Sequence, residues 1–69
     1  MKINPTVLQN AMAGQRWSRY QTAQKSGVPE GRIKQIIMTK HCSIHEAQSL
    51  EIALGVEITV EEEKESWNI

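Results

Sequence analysis

The sequence predicts an all-α fold, a compact domain of four or five short helices, and three observations carry that expectation. Helix-capping residues recur at Asn4-Pro5, at Ser18 with Gln21 and at Ser43 with Glu46, and apolar residues at intervals of three and four follow two of these starts. Gly27 and Gly55 stand where such segments should end. Finally, 69 residues with one cysteine make a single small domain that no internal disulfide can staple.

The first helix should open at Asn4-Pro5, because asparagine caps free amides and proline suits the first turn. Val7, Leu8, Ala11 and Met12 give it an apolar stripe that runs to about Gly14. Ser18 and Gln21 form a capping box for a second helix that reaches about Lys25, with Trp17 placed to pack back into the core. Pro29 suits the start of a third helix that extends to roughly Met38. A fourth follows the Ser43–Glu46 box, lined by Ile44, Ala47, Leu50 and Leu54 and closed by Gly55. Beyond it two readings remain open. Val56, Ile58 and Val60 alternate with polar residues as in a half-buried strand, while Thr59 and Glu62 could cap a fifth helix.

Residues 19–38 are the most informative stretch. Ala23 is small enough to let two helices approach, and Gly27, four residues on, can take the positive φ of a tight turn. Val28, Ile33 and Ile36 then fill the wedge between the helices. This is the spacing of a helix-turn-helix, whose second helix enters the major groove of DNA. On a wheel at 100° per residue, Ile33, Ile36 and Ile37 of the third helix face inward. Opposite them lie Gly31, Gln35 and Met38, flanked by Arg32 and Lys34, and these five are the candidate base-reading residues. Gln35 can pair with adenine, Arg32 or Lys34 with guanine or a phosphate, and Met38 can touch a thymine methyl. Arg19, Lys40, His41 and Ser43 are the candidate phosphate contacts. Glu30 suits the positive end of its helix or the amino group of a cytosine.

Charge is divided along the chain. Residues 1–45 carry seven lysines and arginines against Glu30 alone, a net of +6, and residues 46–69 carry Lys64 against seven glutamates, a net of −6. The total is zero, yet one end can approach a polyanion while the other is held away.

Ser18-Arg19-Tyr20-Gln21-Thr22-Ala23-Gln24-Lys25-Ser26-Gly27-Val28 resembles the second helix and turn of the phage Cro and repressor family, the Xre-like helix-turn-helix proteins. Ile33 and Ile36 fall where that family's third helix carries core aliphatics. Leu50-Glu51-Ile52-Ala53-Leu54-Gly55-Val56 is similar to its fourth, which typically ends in an alanine-leucine-glycine run. The likeness covers roughly residues 5 to 60. It departs at Thr22 and Ser26, where the family buries aliphatics, and at Arg19, where it often has glutamine. The resemblance implies a homodimer that binds a short palindromic operator in double-stranded DNA and represses transcription. Such small regulators work in the bacterial cytoplasm and often belong to phages or mobile elements.

The domain is taken as residues 1–69, with 56–69 as the dimerisation segment. Ile52, Ile58, Val60, Trp67 and Ile69 are the candidate dimer residues, by helix packing or by strands paired across a two-fold axis. Other functions fit less well. His41, Cys42 and His45 invite a metal, but structural zinc wants four ligands and no second cluster is in the sequence. With no aspartate and little room for a pocket, an enzyme, a small-molecule substrate and a cofactor are not expected. The longest aliphatic run is Ile36-Ile37-Met38 and the N-terminus has no long apolar stretch, so neither a membrane span nor a signal peptide is expected. The alternative reading is a protein-interaction module, an antirepressor or antitoxin-type partner binder that uses its acidic end.

Overall fold

Three of the four helices among the described residues begin where the sequence supplies a side-chain cap. The computed structural model describes residues 1–60; residues 61–69, which include Trp67 and Ile69, lie outside the described part. Helix α1 is Pro5–Gln15, and the Asn4 side chain accepts hydrogen bonds from the amides of Thr6 and Val7. Helix α2 is Arg19–Ser26 and α4 is Ile44–Leu54; both open on complete capping boxes, Ser18 with Gln21 and Ser43 with Glu46. Between them α3 spans Glu30–Thr39, entered from Pro29 without a side-chain cap.

The helices end in left-handed residues. Gly27 has φ +84° and Gly55 φ +73°, the conformation glycine tolerates best. Arg16 and Lys40 adopt the same region, at φ +62° and +64°, with side chains that oppose it. The N–H of Lys40 donates to the Ile36 carbonyl at 2.7 Å and so closes α3.

The architecture is all-α with four helices among the described residues; α2 packs on α3 and α4, and α1 on α3 and α4. The core comprises Leu8 and Met12 of α1, Val28 of the turn, Ile33 and Ile36 of α3, Ala47, Leu50 and Leu54 of α4, with Cys42 between them. Thr22 is fully buried in the midst of α2. Its hydroxyl donates to the Ser18 carbonyl at 2.9 Å, and that of Ser26 donates to the Thr22 carbonyl at 2.7 Å. Both polar side chains thus find partners on their own helix, and the departure from aliphatic residues leaves no buried hydroxyl unpaired.

Ile44 corrects the reading of the fourth helix: it is 57% exposed, one turn ahead of the stripe that reaches the core. Ile58 brings a second correction, and Ile3 explains it. Residues 1–4 lie between the loop after α3 and the segment after α4, as the middle member of a small antiparallel clasp. On one side Cys42 N–H donates to the Met1 carbonyl and Ile3 N–H to the Lys40 carbonyl, both at 2.9 Å. On the other, Asn4 N–H donates to the Ile58 carbonyl at 2.8 Å and Val60 N–H to the Lys2 carbonyl at 2.9 Å. The pairings are isolated bridges, Lys2 with His41 and Ile3 with Thr59, and do not lengthen into strands. They bury Ile3 and Ile58, each 1% exposed, beneath the helices.

Glu51 bolts this clasp to α4. One of its carboxylate oxygens accepts from Ile58 N–H at 3.0 Å, Thr59 N–H at 3.3 Å and the Thr59 hydroxyl at 3.2 Å. Residues 58–60 are therefore extended and paired within their own chain, which resolves that part of the ambiguity in favour of extended backbone.

Candidate nucleic-acid interface

Helix α3 divides its side chains sharply. Ile33 and Ile36 are fully buried and Ile37 half-buried, whereas Glu30, Gly31, Lys34, Gln35 and Met38 are exposed, Met38 at 70%. An α-helix with ten residues supports one apolar stripe against the core, and α2 and α4 supply the surface it meets. The turn Gly27-Val28-Pro29 sets α3 across α2, with Val28 buried at the corner. The outward face is thus open among the described residues, and it carries one ammonium, one amide, one thioether and a bare Cα, with the Glu30 carboxylate exposed at the start of the helix.

Arg32 departs from the role its position suggests. Its Nε donates to Glu46 Oε2 at 2.6 Å and one terminal nitrogen to Glu46 Oε1 at 3.0 Å, a two-point ion pair between α3 and α4. Its other terminal nitrogen donates to Gln35 Oε1 at 3.2 Å. The guanidinium, a candidate contact to guanine or phosphate, thus commits three of its five N–H groups to Glu46 and Gln35, with the side chain 35% exposed. The hydrogen bonds from Arg32, and then from Ser43, hold the Glu46 carboxyl down to about 2. The same pairing raises Arg32 above its ordinary value.

The phosphate candidates are of two kinds. Arg19 opens α2, Lys40 ends α3, and the side chains of both are exposed, without an ion-pair partner among the described residues. His41 is exposed as well, with its backbone held in the clasp. Ser43 also caps α4: its hydroxyl accepts from Glu46 N–H at 3.1 Å and its own N–H donates to Glu46 Oε1 at 2.9 Å, while the exposed hydroxyl keeps its own proton to donate. Further along the surface, the Lys25 ammonium sits 5.9 Å from the centre of the Trp17 ring.

The HCSIH stretch comes apart in space. Cys42 is buried in the core, where burial pushes its thiol up, while His41 and His45 are exposed. Among the described residues no three His, Cys, Asp or Glu side chains converge on one point.

Of the dimer candidates, Ile52 is 82% exposed on α4 and, with Val56, borders a shallow open depression of about 570 Å³ shared with Gln48, Glu51, Gly55 and Glu57. Ile58 is corrected: it belongs to the core of its own chain and cannot meet a partner. Val60 is half-buried in the clasp, and Trp67 and Ile69 lie outside the described residues. Among the described residues no helix is long and apolar enough to cross a membrane.

Two residues escaped the sequence reading. Glu46 was legible as a cap, but its partner Arg32 is fourteen residues away and no local pattern joins them. Glu51 bonds seven and eight residues ahead, across a helix end, where spacing rules are silent. Comparison with family models, with curated proteins and with solved structures finds no match to this chain.

Proposed function

We propose that this protein is a sequence-specific DNA-binding regulator of the Cro-repressor type, which binds a palindromic operator as a dimer. The observation that carries the reading is the two-sidedness of α3: Ile33 and Ile36 wholly buried, with Gly31, Lys34, Gln35 and Met38 open on the other side. A major groove about 12 Å wide admits one such helix, and those side chains offer donors and a methyl to base edges. Arg19 and Lys40 stand at the near end of α2 and the far end of α3, where phosphate contacts would fix the register of the helix. The segregation of positive charge into residues 1–45 supports the same orientation.

Dimerisation through the exposed Ile52 side of α4 would present two α3 helices to half-sites roughly 34 Å apart, one turn of B-DNA. Occupation of such an operator would exclude polymerase. The cell type and genome implied by the family likeness, a bacterium with a phage or mobile element, belong to the same proposal.

A salt titration of duplex binding tests it. Each phosphate neutralised contributes about 0.9 to the slope of log K against log salt, so affinity should fall steeply between 50 and 200 mM. Gln35→Ala should alter sequence preference, and Lys40→Ala should weaken cognate and random duplexes alike. If the protein has no affinity for any duplex at low salt, the alternative stands, a protein-interaction module that uses its acidic end.

A further inference from the structure

Glu46 holds Arg32, and Arg32 holds Gln35. The Glu46 carboxylate is itself fixed by the α4 capping box, since it accepts Ser43 N–H at 2.9 Å while its own amide donates to Ser43 Oγ at 3.1 Å. From that anchor it grips the guanidinium at two points, 2.6 and 3.0 Å. The remaining end of the guanidinium donates to Gln35 Oε1 at 3.2 Å. A guanidinium has only donors, so it can bind the amide only through its oxygen. The oxygen of Gln35 is thereby turned back along α3, and the amide nitrogen, with its two N–H groups, becomes the free end.

We propose that Glu46, a residue of α4 remote from the reading face, determines which base Gln35 accepts, by way of Arg32. This rests on α3 being the base-reading helix. Guanine presents N7 and O6 side by side as two acceptors in the major groove, which suits an amide that offers its NH2. Adenine presents N7 beside its N6 amino group and needs the amide oxygen outward, the orientation Arg32 opposes. The locked protein therefore prefers guanine to adenine at the Gln35 contact by roughly tenfold, the range of one good paired contact. Glu46 and Arg32 are positioning residues here, and the guanidinium adds no cation to the interface because its charge is already matched.

The test is selection of bound sequences from random duplex DNA by the wild type and by Gln35→Ala, Glu46→Ala and Arg32→Ala, each checked for folding by circular dichroism. The base read by Gln35 is the position whose preference Gln35→Ala erases. Glu46→Ala and Arg32→Ala should both admit adenine at that position, with the rest of the site unchanged. Glu46→Ala should also steepen the salt slope by about 0.9, as the released Arg32 reaches a phosphate. If both variants enrich the wild-type sequence unchanged, the relay is overturned while the base-reading helix stands. If the wild type binds duplexes yet enriches no sequence, α3 is not a reading helix and both ideas fall. Should Glu46→Ala fail to fold, Glu46→Gln takes its place, since it keeps one oxygen for Ser43 N–H and loses the charge and the second acceptor that grip Arg32.

Discussion

Replacement of Lys40 by glycine should strengthen the fold while weakening the proposed complex with DNA. Lys40 ends α3 at φ +64°, ψ +23°, a conformation that costs a residue with a Cβ roughly 1–2 kcal/mol. Glycine removes that penalty but gives back roughly 0.5–1 kcal/mol of unfolded-chain entropy. The net expected gain is about 0.75 kcal/mol, the midpoint of a range from about 0 to 1.5, or roughly 3–6 °C in Tm for a domain this size. The two hydrogen bonds of this residue, to the Ile36 carbonyl and from Ile3 N–H, are made by its backbone and survive the change. The lost ammonium should flatten the salt slope by about 0.9 and weaken cognate and random duplexes equally. Urea denaturation followed by circular dichroism and fluorescence anisotropy at several salt concentrations measure the two effects separately. A less stable Lys40→Gly protein would refute the strain argument; an unchanged slope would remove Lys40 from the DNA interface. Lys40→Ala is the matching control, since it loses the same charge and keeps the strain.

Glu51→Ala removes the acceptor of three hydrogen bonds and should cost about 2 kcal/mol in urea denaturation, with faster amide exchange at Ile58 and Thr59. Exchange that rises equally throughout the domain would show that Glu51 does not act on the clasp. Acid should weaken the fold through Glu46. Because its folded pKa, about 2, lies below the unfolded value, its contribution is complete above about pH 4.5 and is lost as the pH falls toward 2. Glu46→Gln should flatten that part of the stability profile between pH 5 and 2.5, and a wild-type profile retained by the variant would assign the acid sensitivity elsewhere. Ile52→Asp, at a side chain 82% exposed, should leave the unfolding midpoint of the monomer unchanged and shift sedimentation from dimer to monomer. A variant that sediments as the wild type does would place any dimer contact off α4.

The helices were legible because their limits are set by local chemistry. Asn4, Ser18 and Ser43 cap amides within three residues of themselves, and Gly27 and Gly55 take a backbone angle that few other residues favour. Ile33 and Ile36 were readable as inward for the same reason, a single helical period. What the sequence withheld depends on distance along the chain. Ile3, one apolar residue between Lys2 and Asn4, has no period to announce a buried bridge. The alternation through Ile58 is visible in the sequence, but not that its partner is residues 2–4 of the same chain, and alternation alone suits a dimer contact equally well. Ile44 sits on the edge of its stripe, where a wheel cannot separate covered from bare. On α3 the exposure of Lys34, Gln35 and Met38 followed from direction alone, while the tie between Arg32 and Glu46 did not.

The clasp also bears on the order in which the molecule assembles. Met1 and Cys42 are 41 residues apart, so bringing them together costs about 3 kcal/mol in chain entropy beyond the constant of loop closure. Helical hydrogen bonds close loops of only a few residues, whereas these pairings are rewarded only once Ile3 and Ile58 meet helices already docked. They should therefore set last during folding and part first under denaturant, leaving a species with four helices and an unsealed floor.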